Sequence, residues 1–448
     1  MLTTEQARKR AADLVALARK AGADAADAIY VADAATGVQV RLGALEDVQR
    51  SEGEEIGLRV FVGKQSASAS SSDLSADALA KLAERAVAMA GQAPEDEFAG
   101  LAPEELLMRS APADFDIDDG GDVSPQALRD RAMAAEEAAR AVAGVTNSEG
   151  GSASAGRALV ALATSGGFSG SYSGSSHGVS ASVLAGEGSG MQRDYAYHSA
   201  RHLSDLDDAT AIGTKAGERA VARLNPVRLK SGPTVVVFDP RVAASMIGHF
   251  VGAITGAAIA RRTSFLLDAL ETEVFAPGIT IIDDPHRIRG LRSKPFDGEG
   301  LPTSRRALID KGVLTTWLLD SASARQLGLA PTGHASRGVG GPPGAGTTNL
   351  HMEAGTHTPA ELMADIVEGI YVTDLIGQGV NGLTGDYSRG ASGFVIRNGV
   401  LAEPVAEVTI AGNLKDMFRH VTPANDLVFR YGSNAPTLRV EGMTLAGD

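Results

Sequence analysis

Nine histidines and no cysteine set the terms for any chemistry in this chain of 448 residues. Without thiols there is no disulfide, no cysteine nucleophile, no iron–sulfur cluster and no thiolate zinc site. Serine nucleophiles, imidazole or carboxylate metal sites and glycine-rich phosphate loops remain to be weighed. Gly174-Ser-Ser176-His-Gly178 matches the nucleophile elbow G-x-S-x-G, which needs a strand before the serine and a helix after it. Ser, Gly and Val alternate on both sides, which predicts strand throughout and no elbow. Gly377-Gln-Gly379-Val-Asn-Gly382 matches G-x-G-x-x-G behind a strand-like Tyr371–Ile376. The glycine-rich Leu383–Gly393 that follows cannot open the helix a pyrophosphate would need. Gly57 to Lys64 is one residue too long for a phosphate loop, and Gln65 stands where Ser or Thr would bind magnesium. His351-Met-Glu353-Ala-Gly-Thr-His357 gathers potential metal ligands, but the imidazoles are not spaced i, i+4, and Gly355 and Pro359 predict loop.

One histidine lies on a predicted helix. Asp239-Pro240 starts a helix running over 240–262 that holds His249. A metallopeptidase helix carries H-E-x-x-H or H-E-x-x-x-H, so that ligands and base share a face. Here Phe250 follows His249, and the helix has no second histidine.

The elements that must position these residues follow from periodicity and capping. Thr4 is placed as the N-cap of a helix to about Ala21, with Gly22 beyond its end. Ala28–Val31, Gly37–Arg41, Glu55–Val62 and Gln65–Ser72 read as strands. A second helix runs to Met89, with Leu79, Leu82, Ala83 and Val87 on one face. Residues 92–122 form an acidic connector, from Glu95 to Asp122 with Arg109 as the lone base, punctuated by Pro94, Pro103 and Pro112. The spacing predicts a solvated segment. Ser124-Pro125 opens a third helix to about Val142. Residues 145–200 read as several antiparallel strands, and Leu206–Leu224 as a helix. Beyond Asn225-Pro226, Thr234–Phe238 is a short strand. From Pro277 the chain is β-rich, with Ile279–Ile282, Val313–Leu319, Gly369–Leu375, Gly393–Ile396 and Val405–Ile410 as strands and Gly338–Gly346 as a loop. The fold class is α+β: two domains, 1–225 and 226–448, each with antiparallel sheet and long helices.

Composition excludes further classes. The net charge of −14 argues against nucleic acid as a partner. At 44% hydrophobic and 21% charged the chain is globular. Aromatics are only 4%, with Trp317 the single tryptophan, which disfavours a sugar or base-stacking platform. The N-terminus has no apolar core behind its charges and reads as an amphipathic helix. Val242–Ala260 lacks charges but holds His249 and three glycines, which favours a buried helix over a membrane span. A cytoplasmic location is expected.

Several segments together resemble the TldD/PmbA family, the modulators of DNA gyrase. They are Gly57-Leu-Arg-Val-Phe-Val-Gly63, Ser72-Asp-Leu74, Thr263-Ser-Phe-Leu266, Phe296-Asp-Gly-Glu-Gly300, Gly377-Gln-Gly-Val-Asn381, Thr384-Gly-Asp-Tyr-Ser-Arg-Gly390 and Ile410-Ala-Gly-Asn-Leu-Lys-Asp-Met-Phe418. The resemblance spans the whole chain and is to the PmbA (TldE) branch. It implies that members of the TldD branch are zinc metallopeptidases with H-E-x-x-x-H on a helix and a cysteine ligand near the C-terminus. Laid on this chain, the helical motif falls on Gly248, His249 and Ala253, and the cysteine region on Tyr431-Gly-Ser-Asn-Ala-Pro436. The ligands are missing, so no catalytic or metal residue is carried over, and zinc is expected only in a TldD-type partner.

The resemblance therefore implies a metal-free subunit of a TldD/PmbA peptidase complex that trims unfolded or modified peptides. The expected partners are a TldD-type subunit and extended peptides, with a homodimer when the chain is alone. A Ser/Gly-rich sheet edge suits main-chain pairing with peptide. Thr384, Asp386, Tyr387, Ser388 and Arg389 are candidates for a peptide groove, unless Asp386 and Arg389 merely pair to hold the turn. The competing expectation is an independent hydrolase using His249, His334, His351 or His357.

Overall fold

The structure, a computed structural model, describes residues 1–110 and 112–447. In chain order the N-terminal elements are α1 (Thr4–Lys20), β1 (Ala25–Arg41), β2 (Ala44–Val62), β3 (Gln65–Ser71), α2 (Ala76–Ala90), α3 (Pro125–Ala141), β4 (Val145–Thr164), β5 (Ser169–Ala185), β6 (Gln192–Ala200) and α4 (Ala209–Ala222). After them come β7 (Gly232–Phe238), α5 (Pro240–Ala253), α6 (Gly256–Ala260), β8 (Ile281–Asp283), β9 (Arg306–Asp310), β10 (Val313–Leu314), α7 (Ser321–Leu327), β11 (Ala335–Ser336), β12 (Gly344–Ala345) and β13 (Leu350–Met352). The chain ends with α8 (Pro359–Met363), β14 (Glu368–Ile376), β15 (Asp386–Arg397), β16 (Val400–Asn413), α9 (Leu414–Arg419), β17 (Val421–Pro423), β18 (Ser433–Asn434) and β19 (Leu438–Ala446). The fold is α+β.

The first six strands form one antiparallel sheet in the order β3-β2-β1-β4-β5-β6. Side chains alternate across a sheet. Ala26, Ala28, Tyr30 and Ala32 of β1 therefore face one way and pack with α1 and α2. Further along the same face, Val38 and Val40 meet Leu128 and Ala132 of α3. Val179, Ala181 and Val183 of β5 meet α3 and α4. All four helices thus cover one face. On the other, Ile29 and Leu162 pack with Phe296 and Leu301 from the second half of the chain.

The second half holds a mixed sheet, β16-β15-β14-β7-β19-β17, in which β7 and β14 run parallel. Pairing of Thr409–Ala411 with Thr444–Ala446 ties β16 back to β19 and closes the ladder. A smaller sheet runs β10-β9-β8-β13-β18. Between them sits the main core, with Phe250 of α5 edge-on to Phe275 at 5.3 Å.

Several expectations need correction. The first helix is capped by Thr3, whose hydroxyl accepts from the Gln6 amide while Gln6 bonds back, a capping box. Ala28–Val31 and Gly37–Arg41 are parts of one strand, because β2 and β4 pair with β1 along its whole length. Residues 145–200 make three strands, two of them long, and the helix expected over 206–224 is Ala209–Ala222, capped by Asp208. The helix expected over 240–262 breaks at Ile254–Thr255, where the Ile254 carbonyl accepts from Leu318 and the Gly256 amide donates to the Leu318 carbonyl. The strand expected over Val313–Leu319 is only Val313–Leu314. The acidic connector is not simply solvated: Ala102, Leu107, Phe115 and Ile117 are buried. Phe115 stacks on His286 at 4.8 Å, so apolar anchors hold the segment while most of its carboxylates face water. Its Ala111 lies outside the described residues.

Candidate functional site

The helix positions laid out by the resemblance sit on α5, with Asp239 as N-cap and Pro240 in the first turn. Gly248 is exposed, and a Cβ there would meet nothing within 4 Å. Ala253 is buried, and its carbonyl accepts the Ser264 hydroxyl at 2.6 Å. His249 lies edge-on to Tyr387 of β15, with centroids 6.0 Å apart. Burial, and then the charge of Arg389, pull the His249 pKa below its ordinary value. Its Nε2 is sealed from solvent and has no hydrogen-bond partner among the described residues. The segment laid against the missing cysteine contains β18, which packs against α5. The structure thus brings together the two segments that, by the resemblance, would share one site. The donor set does not fit zinc: of the three helix positions only His249 carries a ligand-type side chain, and it lies beside the Arg389 guanidinium. Among the described residues no three His, Cys, Asp or Glu side chains converge as metal ligands.

The five groove candidates separate. Asp386 and Ser388 are exposed, whereas Tyr387 is buried toward α5 and Arg389 is half-buried. This is the alternation of a strand, since β15 begins at Asp386. Burial pushes the Tyr387 pKa up to about 12, although Arg389 beside its hydroxyl works the other way. Asp386 and Arg389 do not pair with each other. Asp386 accepts from the Thr384 hydroxyl at 2.6 Å and from Asn413 Nδ2 at 3.0 Å, and these bonds hold its carboxyl below the usual range. Arg389 reaches the Leu375 carbonyl at 3.5 Å. Asn413 also donates to the Thr384 carbonyl and caps α9 by accepting from the Lys415 amide. The two longest motifs therefore lock each other. The main chain of β15 is engaged on both sides here. Asp386 and Ser388 pair with Asn413 and Ala411, and on the other edge the Ser388 amide donates to Gly379 while the Asp386 carbonyl accepts from Asn381. No strand edge is free at this turn.

The remaining histidines scatter. His334 bonds Thr332 at 2.8 Å and faces Asp283 at 3.5 Å. His351, on β13, packs edge-on to Phe429 at 5.0 Å. His357 is exposed. Ser176 and His177 lie inside β5, so no elbow forms. The Ser/Gly-rich β4 and β5 are interior strands, and the sheet ends on the Ser-rich β3 and on β6. Beyond the reach of β3, the main chain of β2 along Ala44–Glu55 also lacks a second ladder partner.

Sequence reading missed a buried charge cluster at the seam between the halves. Asp27 of β1 accepts from Arg59 Nε at 3.0 Å and also from Arg337. Although burial opposes it, the two guanidiniums hold the Asp27 pKa below its ordinary value. Arg59 also faces Glu299 at 3.7 Å. Burial pushes the Glu299 pKa up to about 7, against Arg59 and two hydrogen bonds from Ser321. Gly57 explains its own place in the motif, since a Cβ there would lie 2.1 Å from the Val339 carbonyl. The only sequence signal was that Gly57, Arg59 and Glu299 fall inside family-like motifs.

Comparison with known proteins gives one answer along the chain. Residues 26–90 match PmbA/TldA metallopeptidase domain 1, residues 118–224 the central domain and residues 231–447 the C-terminal domain of that family. The first two matches share the single N-terminal sheet described above. The chain is similar to Metalloprotease PmbA of Escherichia coli O157:H7, 39% identical over 92% of this chain and 90% of that one. It is 35% identical to a Metalloprotease PmbA homolog of Haemophilus influenzae, over 99% and 97% of the two chains. Among solved structures, a protein of Bacteroides thetaiotaomicron named as a modulator of DNA gyrase superposes with a TM-score of 0.92 at 27% identity, covering 100% of both chains. TldE from Thermococcus kodakarensis shares the fold, with a TM-score of 0.86 at 20% identity over 98% of this chain and 100% of that one.

Proposed function

Because this chain belongs to the PmbA/TldD metallopeptidase family, we propose that it is the metal-free, non-catalytic subunit of a TldD/PmbA peptidase complex. The observation that carries this reading is α5. Its position for a first ligand is glycine, its position for a base is the half-buried histidine that lies against Tyr387, and its position for a second ligand is a buried alanine. A zinc peptidase site needs three protein ligands around an open coordination position. Zinc, and the activated water it supplies, belongs in this reading to a TldD-type partner.

The role left to this chain is to help enclose a cavity and hold extended peptide. Thr384, Asp386 and Ser388 offer polar groups on the outer side of their turn, and Ala44–Glu55 of β2 offers unpaired main chain for strand addition. The complex would act in the cytoplasm; no helix among the described residues is long and apolar enough to cross a membrane. The test is cleavage of unfolded peptides by the purified chain, with and without a TldD-type partner and zinc. Cleavage is expected only with the partner, and substoichiometric zinc in the chain alone. Chelator-sensitive cleavage by this chain alone overturns the proposal. By light scattering the lone chain is expected to be a dimer.

A further inference from the structure

The N-terminal sheet ends unevenly. β3 pairs with Ile56–Val62 of β2 and stops there, so the main chain of Ala44–Glu55 has β1 on one side and no ladder partner on the other. Unpaired amides and carbonyls along a strand edge are a template for a further strand. This edge runs for roughly 36 Å, at about 3.3 Å per residue. It is also held in shape. At the turn between β1 and β2, the Leu42 and Gly43 amides donate to the two carboxylate oxygens of Glu136, a buried residue of α3, at 2.6 and 2.9 Å. A strand fixed in advance costs less ordering when something binds to it.

The two sides of this edge differ. Directly opposed residues of paired strands share a face of the sheet. Leu45 and Val48 stand opposite Val40 and Val38, which pack on α3, yet Leu45 and Val48 themselves are nearly half exposed. With the exposed Leu42 of the turn they form an apolar strip on the helix side. Arg50 and Glu52 continue that side and pair with each other, and Glu54 pairs with the Met1 ammonium at 3.0 Å. The other side carries carboxylates. Asp47 stands opposite Gln39, Glu55 opposite Val31, and Asp33 of β1 opposite Gly53. Glu46 accepts from Gln39 at 2.7 Å and lies 3.8 Å from Arg41. Asp47 accepts from Gln49 and Glu55 from Ser70, but neither of them, nor Asp33, forms an ion pair among the described residues. At Glu55 this side opens into a cleft of about 570 Å³ between the sheet and the loops of the second half. The cations of the cleft wall have their own counter-charges there: Arg337 engages Asp27, and Lys294 feels Asp297 and Asp283. Along Ala44–Glu55 five carboxylates stand against one guanidinium, that of Arg50.

We propose that this edge takes up an extended peptide with basic residues on one face and apolar residues on the other. Main-chain bonds to β2 hold the strand, its apolar side chains lie on Leu45 and Val48, and its basic ones meet Glu46, Asp47, Glu55 and Asp33. Charge selects this occupant over a second copy of the chain, since two such edges would set net negative charge against net negative charge. The inference rests on the reading that this chain holds extended peptide, and it says which peptides.

Fluorescence anisotropy of the full chain tests it at low salt, with a labelled, end-capped Lys-Val-Lys-Val-Lys-Val peptide. The comparisons are its Glu-Val counterpart, the block sequence Lys-Lys-Lys-Val-Val-Val and a copy N-methylated at every residue. The Lys-Val peptide is expected to bind saturably at one site per chain, more weakly as salt rises. The Glu-Val and block peptides are expected to bind at least about tenfold more weakly, and the methylated copy not at all. Glu46→Lys with Asp47→Lys, both at exposed positions, is expected to reverse the charge preference and leave the urea midpoint near that of the unaltered chain. Absence of saturable binding, equal affinity for the Lys-Val and Glu-Val peptides, or undiminished binding of the methylated copy overturns the proposal. So does a dimer that the double substitution dissociates, because a second copy would then hold the edge. Binding here with no cleavage beside a TldD-type partner counts against the functional reading alone. Cleavage with the partner but no binding here counts against this inference alone.

Discussion

The α5 site and the seam cleft are opposite solutions to packing a histidine or a charge. At α5, the place of catalysis implied by family resemblance, aromatic rings fill the interior. His249 lies against Tyr387, and Phe250 against Phe275 and Phe418. At the seam, charges drawn from distant parts of the sequence are buried beside open volume. Asp27 serves two guanidiniums, Glu299 faces one of them, and Lys294 feels the charges of Asp297 and Asp283. The lesson is that a helix without ligand-type side chains packs by its aromatic and apolar faces, while contact between the two halves of the chain concentrates buried ionisable groups.

Three changes would break or sharpen this contrast. The largest effect is expected from Asp27→Asn, which leaves Arg59 and Arg337 facing each other without their shared carboxylate. Breaking a buried pair costs about 3–5 kcal/mol, so the urea midpoint should fall well below that of any exposed-turn variant. An unchanged midpoint would show that the cluster is not what holds the halves together.

Next is Glu299→Gln, read as a pH dependence. The folded pKa of Glu299 is raised to about 7 from the ordinary 4.5. Between those values the unfolded chain has released the proton and the folded chain still holds it, so stability falls as pH rises. The slope is up to about 1.4 kcal/mol per pH unit for one proton. Gln keeps a carbonyl to accept from Ser321 and cannot titrate. Denaturation between pH 5 and 7 should show a falling stability for the unaltered chain and a flatter one for the variant. Parallel profiles would refute the assignment.

The smallest effect is expected at the turn beside α5. Asn413→Ala removes the α9 cap and two bonds to the Thr384–Asp386 turn, at a cost of about 1 kcal/mol. Thermal unfolding measures it. A loss as large as that of Asp27→Asn would mean that the α5 region depends on polar contacts as much as the seam does.

What was legible beforehand differs by region for physical reasons. Helix caps at Ser124 and Asp239 are local bonds within a few residues, and their spacing reveals them, whereas the short helix that Thr358 caps stands where the sequence predicts loop. The strands were fragmented in prediction, because alternating Ser, Ala and Gly in β4 and β5 carry little hydrophobic contrast. Their long partners in the sheet supply the continuity. The five groove candidates were adjacent in sequence, but strand alternation sends Tyr387 inward and Asp386 and Ser388 outward. That split follows only once β15 is known to begin at Asp386.

By itself the sequence determined the family, the α+β class and the absence of ligand-type side chains at Gly248 and Ala253. Those properties reside in residue identity and short spacing. Only the tertiary structure decided that His249 turns to Tyr387, that β4 and β5 are interior, and that a cleft opens at the seam. Asp27 and Arg337 meet across a separation of 310 residues. No local pattern encodes such a contact. It forms because the sheet leaves one face free of helices, and the loops of the second half cover that face and bring Arg337 to Asp27.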